Sequence, residues 1–190
     1  MASDAAPATR APLRVVAAVL FDAAGRVLIT QRPPGKSRAG QWEFPGGKLE
    51  AGESAEAGLV RELAEELGVR VRAARPLLAL RHDYPELSVE LATLLVERYE
   101  GEPVGLEGQA LQWVPPAALY NVDLLPADRP IVDRLNIEFT RALSAPDIRE
   151  RLGRMGAEPS PMSPEAFANF VRAEQAKYER IVKASGARIE

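Results

Sequence analysis

Three glutamates, Glu62, Glu65 and Glu66, stand close together within the segment Gly46–Val69. Residues three and four positions apart lie on one face of an α-helix, so a helix here would gather the three carboxylates on one side. Clustered carboxylates repel one another unless a cation lies between them, and hard oxygen ligands suit Mg²⁺ or Mn²⁺. The same spacing also fits a solvated acidic helix face, and the spacing alone leaves both interpretations open.

The surrounding residues predict the helix that would carry these glutamates. Leu59, Leu63 and Leu67 recur at helical spacing and would form one buried stripe. Ser54 suits the N-cap position, and Gly68 suits the left-handed position after the last turn. Two adjacent glycines precede the helix, and glycine lets the backbone approach a ligand or metal closely. The segment is therefore predicted to be a Gly-rich turn followed by a helix.

The order of residues in this segment resembles the Nudix box at every defining position. Gly47 is followed after five residues by Glu53 and after seven more by the run Arg61–Val69, which reads RELAEELGV. Seven fixed positions, each occupied by chance at about 6–7%, would coincide on the order of once in 10⁸ starts. The resemblance implies a Nudix hydrolase, which uses divalent metal to cleave a nucleoside diphosphate linked to another group.

Stretches outside the box resemble the MutT branch of that family, from about Leu13 to Leu135. They are Trp42–Lys48, Val96–Pro103, Glu107–Gln109 and Pro126–Pro130. This resemblance implies hydrolysis of 8-oxo-dGTP to 8-oxo-dGMP and pyrophosphate, which removes an oxidised nucleotide from the pool. The alternatives are a Nudix hydrolase for a modified pyrimidine triphosphate or ADP-ribose, and a nucleotide-binding module without turnover.

Carried over by position, the resemblance implies specific metal-binding and catalytic residues, with Mg²⁺ as the metal and Mn²⁺ as an alternative. The implied metal-binding set is the carbonyl of Gly46 with Glu62, Glu65, Glu66 and Glu107. Glu62, or alternatively Glu107, would deprotonate the attacking water. Glu53 would orient the box through its own loop and through Arg61.

The resemblance also implies a substrate-binding set. Arg32 would contact phosphate, Lys48 would offset phosphate charge, and Phe44 and Asp128 would border the base pocket. Better-known members of the branch carry Asn at the position of Asp128. An ionised Asp only accepts hydrogen bonds, so it could accept the N7–H of 8-oxoguanine but would oppose O6 unless protonated or rotated away. Leu87 stands where a basic residue would contact substrate.

Composition bounds the class of protein. The chain has 190 residues, 46% hydrophobic and 27% charged, with a net charge of −3 and no cysteine. This length allows one domain with an extension. The absence of cysteine excludes disulfides, thiolate metal sites and a Cys nucleophile, and it fits a cytoplasmic location. The charge suggests no surface for nucleic-acid polymers, and no segment approaches the 18 apolar residues of a membrane span.

Three smaller features of the sequence are assigned no function. The apolar run Val15–Phe21 is a poor match to a signal peptide, because the following residues continue it as a hairpin. Gly35-Lys36-Ser37 resembles the end of a P-loop, but Thr30 stands where that motif requires glycine, which excludes it. His82, the single histidine, and Tyr84 are interpreted as packing residues.

The pattern predicts an α/β protein: a Nudix-type α/β/α sandwich around a mixed sheet, followed by a C-terminal helical extension. Residues 1–12 are predicted to be a disordered leader, residues 13–136 the Nudix domain and residues 137–190 the extension. Besides the box helix, a short helix is predicted over Pro126–Leu135. The predicted strands are Arg14–Phe21, Arg26–Arg32, Val69–Leu80, Ser88–Tyr99 and Ala110–Val114.

The extension is predicted to be helical throughout. Ile137–Leu143 continues a helical pattern, Pro146–Met155 forms a helix, and a helix of about 20 residues begins at Ser163-Pro164 and ends near Gly186. The last helix has an apolar face made of Phe167, Phe170, Val171, Tyr178, Ile181 and Val182. The extension resembles the C-terminal end of tripartite tricarboxylate transporter receptors, and a homodimer contact through these helices is a further hypothesis.

Overall fold

The computed structural model describes residues 11–185, and residues 1–10 of the leader predicted over residues 1–12 lie outside them. The chain divides into two compact units between Arg134 and Leu135. The first unit carries the strands and the helix of the Nudix box. The second carries the C-terminal helices.

Strands of the first unit form two sheets. Their bounds are β1 Leu13–Val19, β2 Val27–Gln31, β3 Trp42–Glu43, β4 Gly46–Lys48, β5 Arg70–Asp83, β6 Ser88–Glu100 and β7 Leu111–Val114. The helices are α1 Ala55–Leu67, α2 Arg129–Ser144, α3 Pro146–Arg154 and α4 Pro164–Ser185, with 3₁₀ turns at Pro116–Asn121 and Pro126–Asp128.

The larger sheet is mixed. Its order is β4-β1-β6-β5, in which β1 and β6 are parallel and the other pairs are antiparallel. The smaller sheet has the order β3-β2-β7 and is antiparallel throughout. The predicted α/β class with a mixed sheet and C-terminal helices is confirmed.

Helix α1 forms where the sequence predicts it. Ser54 Oγ accepts a hydrogen bond from the Ala57 amide at 3.2 Å, and Gly68 has φ 67° in the left-handed region. Gly58 is buried in the first turn of the helix, where a Cβ would lie 2.2 Å from a methyl group of Leu49. The glycine therefore allows the segment before the helix to pack directly against it.

The leucine stripe of α1 lies in the main core. Leu59, Leu63 and Leu67 have no exposed surface, and they pack with apolar residues of β1 and β6 such as Val16 and Leu94. Burying one such side chain contributes about 1.5–3 kcal/mol. This packing fixes the face of α1 that carries the carboxylates.

Strand β4 lies where the sequence predicts a Gly-rich turn, and that prediction is wrong for Gly46–Lys48; β3 was not predicted. Gly46 and Gly47 pair with Ala17 and Val16 of β1. Gly46 has φ 149°, and a Cβ on it would lie 2.1 Å from the carbonyl oxygen of Val16. Strands of two or three residues contain no alternation from which the sequence could predict them.

The helix predicted at Pro126–Leu135 needs correction. A 3₁₀ turn covers Pro126–Asp128, and α2 then runs without interruption to Ser144. The helical pattern predicted to continue over Ile137–Leu143 is the second half of α2. The remaining helices α3 and α4 begin at the predicted prolines, Pro146 and Pro164.

The last helix exposes the apolar residues that its sequence pattern groups together. Phe167, Phe170, Tyr178, Ile181 and Val182 are each exposed by about half in this single chain. Homodimerisation through this face stays a prediction. Within residues 11–185, no helix is both long and apolar enough to cross a membrane.

Replacing Leu63 by alanine tests the core of α1. The substitution leaves a cavity under the helix and should lower the free energy of unfolding by about 2–5 kcal/mol in urea titrations. Val60→Ala, on the exposed side of the same helix, is the matched control and should change it by less than about 1 kcal/mol. Equal losses in the two variants would contradict the assigned orientation of α1.

Candidate active site

A cavity of about 610 Å³ opens in the first unit beside β1, β4, α1 and the β5–β6 hairpin. Most of the residues predicted from sequence line it. They are Arg32, Phe44, Gly46, Lys48, Glu62, Glu66, Glu107 and Asp128. The other predicted residues, Glu53, Arg61 and Glu65, do not line the cavity.

Arg61 and Glu53 form a bidentate pair beside the cavity. The Arg61 Nε donates to Glu53 Oε1 at 3.0 Å, and its Nη2 donates to Glu53 Oε2 at 2.9 Å and to the Lys48 carbonyl at 3.0 Å. The Arg61 hydrogen bonds, with one from the Glu50 amide, lower the pKa of Glu53 to about 2. Glu53 thus joins α1 to the loop before it, which agrees with its predicted orienting role.

The same guanidinium also holds two of the clustered glutamates. Arg61 Nη1 donates to Glu62 Oε1 at 2.9 Å and to Glu65 Oε2 at 3.2 Å. The hydrogen bonds that Arg61 donates to Glu53, and then to Glu62, raise the pKa of Arg61. Arg61 therefore offsets the repulsion between Glu62 and Glu65, which the spacing of the helix brings together.

Glu66 is a half-buried acid among like charges. Burial raises its pKa to about 7, repulsion from Glu107 and Glu62 adds to the rise, and Lys36 opposes it. Its backbone carbonyl accepts hydrogen bonds from the amide of Leu106 at 2.9 Å and the side chain of Gln109 at 3.0 Å. These two bonds attach the loop that carries Glu107 to the end of α1.

The residues present fit a divalent cation. Glu66 is partly desolvated among like charges, and a cation between them would relieve that repulsion. Gly47 leaves room for Glu62, because a Cβ there would lie 2.3 Å from the Glu62 carboxylate. All the donors are oxygens, as Mg²⁺ prefers.

The cation site is not preassembled in residues 11–185, where no three acidic or histidine side chains are grouped closely enough to hold a metal ion. Glu62 and Glu65 instead pair with Arg61, and Glu107 pairs with Lys36. Glu62, Glu66 and Glu107 line the cavity and would hold the cation after these pairs rearrange. Glu65 is 62% exposed and stays a predicted ligand.

Asp128 is buried at the cavity wall. It is 5% exposed, and its Oδ2 accepts a hydrogen bond from the Phe44 amide at 2.9 Å. Burial raises its pKa to about 7, the Phe44 amide opposes the rise, and Glu43 adds to it. Near neutral pH a large share of Asp128 is therefore protonated, and it can donate as well as accept.

Arg32 is already engaged on the cavity wall. Its Nη1 donates to Glu43 Oε2 at 2.6 Å and its Nε donates to the Ser37 carbonyl at 2.7 Å. Burial raises the pKa of Glu43 although Arg32 opposes it. Glu43 thus holds the guanidinium at the cavity, where its remaining donors suit a phosphate.

Sequence reasoning missed a basic loop that lines the cavity. Lys36, in the excluded P-loop resemblance, donates to Glu107 Oε2 at 3.1 Å. Arg38 lies over the ring of Tyr84 at 4.2 Å and pairs with Glu86 at 3.0 Å. Tyr84 lines the cavity too, and its hydroxyl accepts a hydrogen bond from the Ala127 amide. The run of cations after Arg32 was the available signal.

The NUDIX domain model matches residues 11–135 of this chain, which include both sheets and every residue of the cavity lining. The chain belongs to the Nudix family. Nudix hydrolases act on nucleotide substrates and generally use divalent metal ions, most often Mg²⁺. The cavity lined by these carboxylates is accordingly the expected active site of this Nudix hydrolase.

The match to relatives that are named for an activity covers nearly the whole length of those relatives. The 8-oxo-dGTP diphosphatase of Escherichia coli is 36% identical over 123 residues, which are 65% of this chain and 95% of the relative. The CTP pyrophosphohydrolase of Escherichia coli is 36% identical over 121 residues, which are 64% of this chain and 89% of the relative. This Nudix protein is therefore equally similar to relatives named for different nucleotides.

Solved structures agree with the fold. A MutT structure from work on Aliivibrio salmonicida and Vibrio cholerae has a TM-score of 0.56 at 38% identity, covering 65% of this chain and 95% of its own. The solution structure of Escherichia coli ORF135 has a TM-score of 0.60 at 34% identity, covering 70% of this chain and 94% of its own. Both matches concern the Nudix domain, and neither solved chain matches the whole of this one.

Asp128→Asn tests the buried acid through stability. The folded pKa lies above the ordinary value of 3.8, so between these values the unfolded carboxyl is ionised while the folded one keeps its proton. Stability contributed by this group is therefore lost as pH rises towards 7. Asn does not titrate and its oxygen can still accept the Phe44 amide.

The free energy of unfolding of Asp128→Asn, relative to the unsubstituted protein, should accordingly rise by about 1–3 kcal/mol from pH 5 to pH 8. Denaturant titrations at the two pH values measure this difference. A difference that stays constant, or that shrinks as pH rises, would show that Asp128 is ionised in the folded protein at both values.

Proposed function

We propose that this Nudix hydrolase is a Mg²⁺-dependent nucleoside triphosphate pyrophosphohydrolase that converts 8-oxo-dGTP to 8-oxo-dGMP and pyrophosphate. The observation that carries the proposal is the shared lining of one cavity. Carboxylates suited to a cation, Glu62, Glu66 and Glu107, face the same space as Arg32 and the buried Asp128. One nucleotide could therefore meet an acid cluster, a phosphate-binding cation and a polar group for its base.

The reaction requires that a triphosphate approach these carboxylates. A divalent cation held by Glu62, Glu66 and Glu107 would supply positive charge that screens the phosphates and acidifies nearby water. Glu62, whose Oε1 accepts a hydrogen bond from Arg61 in the free protein, would accept the proton of the attacking water. Glu107 is the alternative base.

The proposed attack is at the β-phosphorus. The water oxygen forms a bond to this phosphorus, and the bond from the β-phosphorus to the oxygen that bridges it to the α-phosphorus breaks. The nucleoside monophosphate leaves with that oxygen, and the two outer phosphates leave as pyrophosphate. Arg32 and Lys48 line the cavity and would offset charge on the phosphates during the transfer.

Asp128 is the proposed base-reading residue. Its Oδ2 is held by the Phe44 amide, which leaves Oδ1 for a ligand. Ionised, Oδ1 would accept the N7–H that 8-oxoguanine has and guanine lacks; protonated, it would donate to O6. A pKa of about 7 makes both forms available near neutral pH. This supports recognition of an oxidised guanine although Asp replaces Asn.

A second candidate is a pyrimidine triphosphate such as CTP. The observation in its favour is the 36% identity to the CTP pyrophosphohydrolase of Escherichia coli, the same as to the 8-oxo-dGTP diphosphatase of that organism. Cytosine offers an N4 amino donor, which an ionised Asp128 could accept. The two candidates share the chemistry of the phosphates and differ at the base.

A substrate panel with Glu62→Gln tests both the reaction and the base. The full-length protein with Mg²⁺ should hydrolyse 8-oxo-dGTP with higher kcat/KM than dGTP, CTP or ADP-ribose, as measured by chromatography of the monophosphate and pyrophosphate. Glu62→Gln removes the proposed base and should lower kcat by about 10²–10⁴. Glu56→Gln, an exposed change in the first turn of the same helix, is the matched control and should retain activity.

Each result has a distinct meaning. Preference for CTP would keep the pyrophosphohydrolase chemistry and overturn the base assignment. Full activity in Glu62→Gln would transfer the role of base to another group, with Glu107→Gln as the next variant. No turnover of any nucleotide by the unsubstituted protein would overturn the catalytic proposal in favour of a binding module.

A further inference from the structure

Lys36 is a cation of the cavity to which the proposed reaction assigns no role. It lies in the loop between β2 and β3, and its Nζ donates to Glu107 Oε2 at 3.1 Å. The two residues are 71 positions apart in the chain, and both line the cavity. This contact places a lysine ammonium on the carboxylate that would become a metal ligand.

The two cations that hold the acid cluster differ in how firmly they are fixed. Arg61 is held by the bidentate pair with Glu53 and by the Lys48 carbonyl. Among the residues that the structure describes, the Lys36 side chain has one ion pair, in which the Lys36 and Glu107 side chains are 49% and 50% exposed. Exposed single pairs contribute little in water, so Lys36 can leave Glu107 readily.

The charge of Lys36 reaches more than one acid. It favours the ionised forms of Glu66 and Glu43, against the burial that raises the pKa of each. When no metal ion is bound, Lys36 is thus a counter-ion shared by carboxylates that line the cavity. A divalent cation at Glu107 would compete with the ammonium, because both are cations that bind the same carboxylate.

We infer that Lys36 is an exchangeable counter-ion, which neutralises Glu107 in the free protein and transfers to a phosphate oxygen when a divalent cation takes Glu107. The inference rests on the proposed function, because it assumes that a cation and a triphosphate share this cavity. The lysine side chain suits the exchange, since its flexible four-carbon stem carries three donors that need no fixed plane. No covalent bond changes in this step.

The first test measures Mn²⁺ binding to the free protein by the electron paramagnetic resonance signal of unbound Mn²⁺. Lys36→Met removes the competing cation and should tighten Mn²⁺ binding about threefold to tenfold. Arg75→Met is the matched control: its pair with Glu97 is equally exposed, at 52% and 48%, and lies outside the cavity lining. This control removes the same charge and should change Mn²⁺ affinity by less than about twofold.

A double-mutant cycle decides whether Lys36 acts through Glu107. In a Glu107→Gln background, Lys36→Met should no longer tighten Mn²⁺ binding, because the shared carboxylate is absent. Tightening of the same size in that background would overturn the exchange at Glu107. So would an unchanged Mn²⁺ affinity in Lys36→Met alone, provided that its circular dichroism spectrum and melting curve match the unsubstituted protein.

The second test measures the transfer to phosphate with inorganic tripolyphosphate and Mg²⁺ in isothermal titration calorimetry. Lys36→Met should weaken tripolyphosphate binding about fivefold to tenfold, and Lys36→Arg should restore it to within about threefold. Unchanged binding in Lys36→Met would overturn the transfer. Neither binding test requires hydrolysis, so a failure of the proposed reaction and a failure of this inference give different results.

Discussion

The bidentate pair between Arg61 and Glu53 is the interaction on which the arrangement of the site depends. It joins the middle of α1 to the loop that precedes the helix, and the same guanidinium binds the Lys48 carbonyl of β4. The fourth connection, to Glu62, places a carboxylate beside Gly47. One arginine thus fixes the helix, the glycine strand and the proposed base relative to one another. A lysine could not do this, because it lacks the planar fork that bonds in two directions at once.

Charge in the cavity is balanced by groups from separate parts of the chain. Arg61 offsets Glu62 from within the helix, whereas Lys36 reaches Glu107 from the loop after β2. Glu66 is left with a pKa of about 7, because burial and its acidic neighbours outweigh the nearby lysine. Such an arrangement is tolerated where a cation or a proton can be taken up, and it is common at functional sites.

The elements differed in how well the sequence could predict them. Helix α1 was predictable, because its leucine stripe, its Ser54 cap and its terminal Gly68 all agree locally with its packing. Strands β3 and β4 were not, because their pairing with β2 and β1 is formed by residues distant in the chain. The start of α2 was also missed, because a 3₁₀ turn over Pro126–Asp128 precedes the helix.

The family and most of the residues that line the cavity were predictable from the sequence, because the Nudix box fixes the spacing of its acids along one helix. The surroundings of those residues depend on the folded structure. Burial raises the pKa of Asp128 to about 7, although the hydrogen bond from the Phe44 amide opposes the rise. Folding of the loop after β2 brings Lys36 to Glu107. Burial and long-range pairing depend on the packing of distant segments, and no local pattern records them.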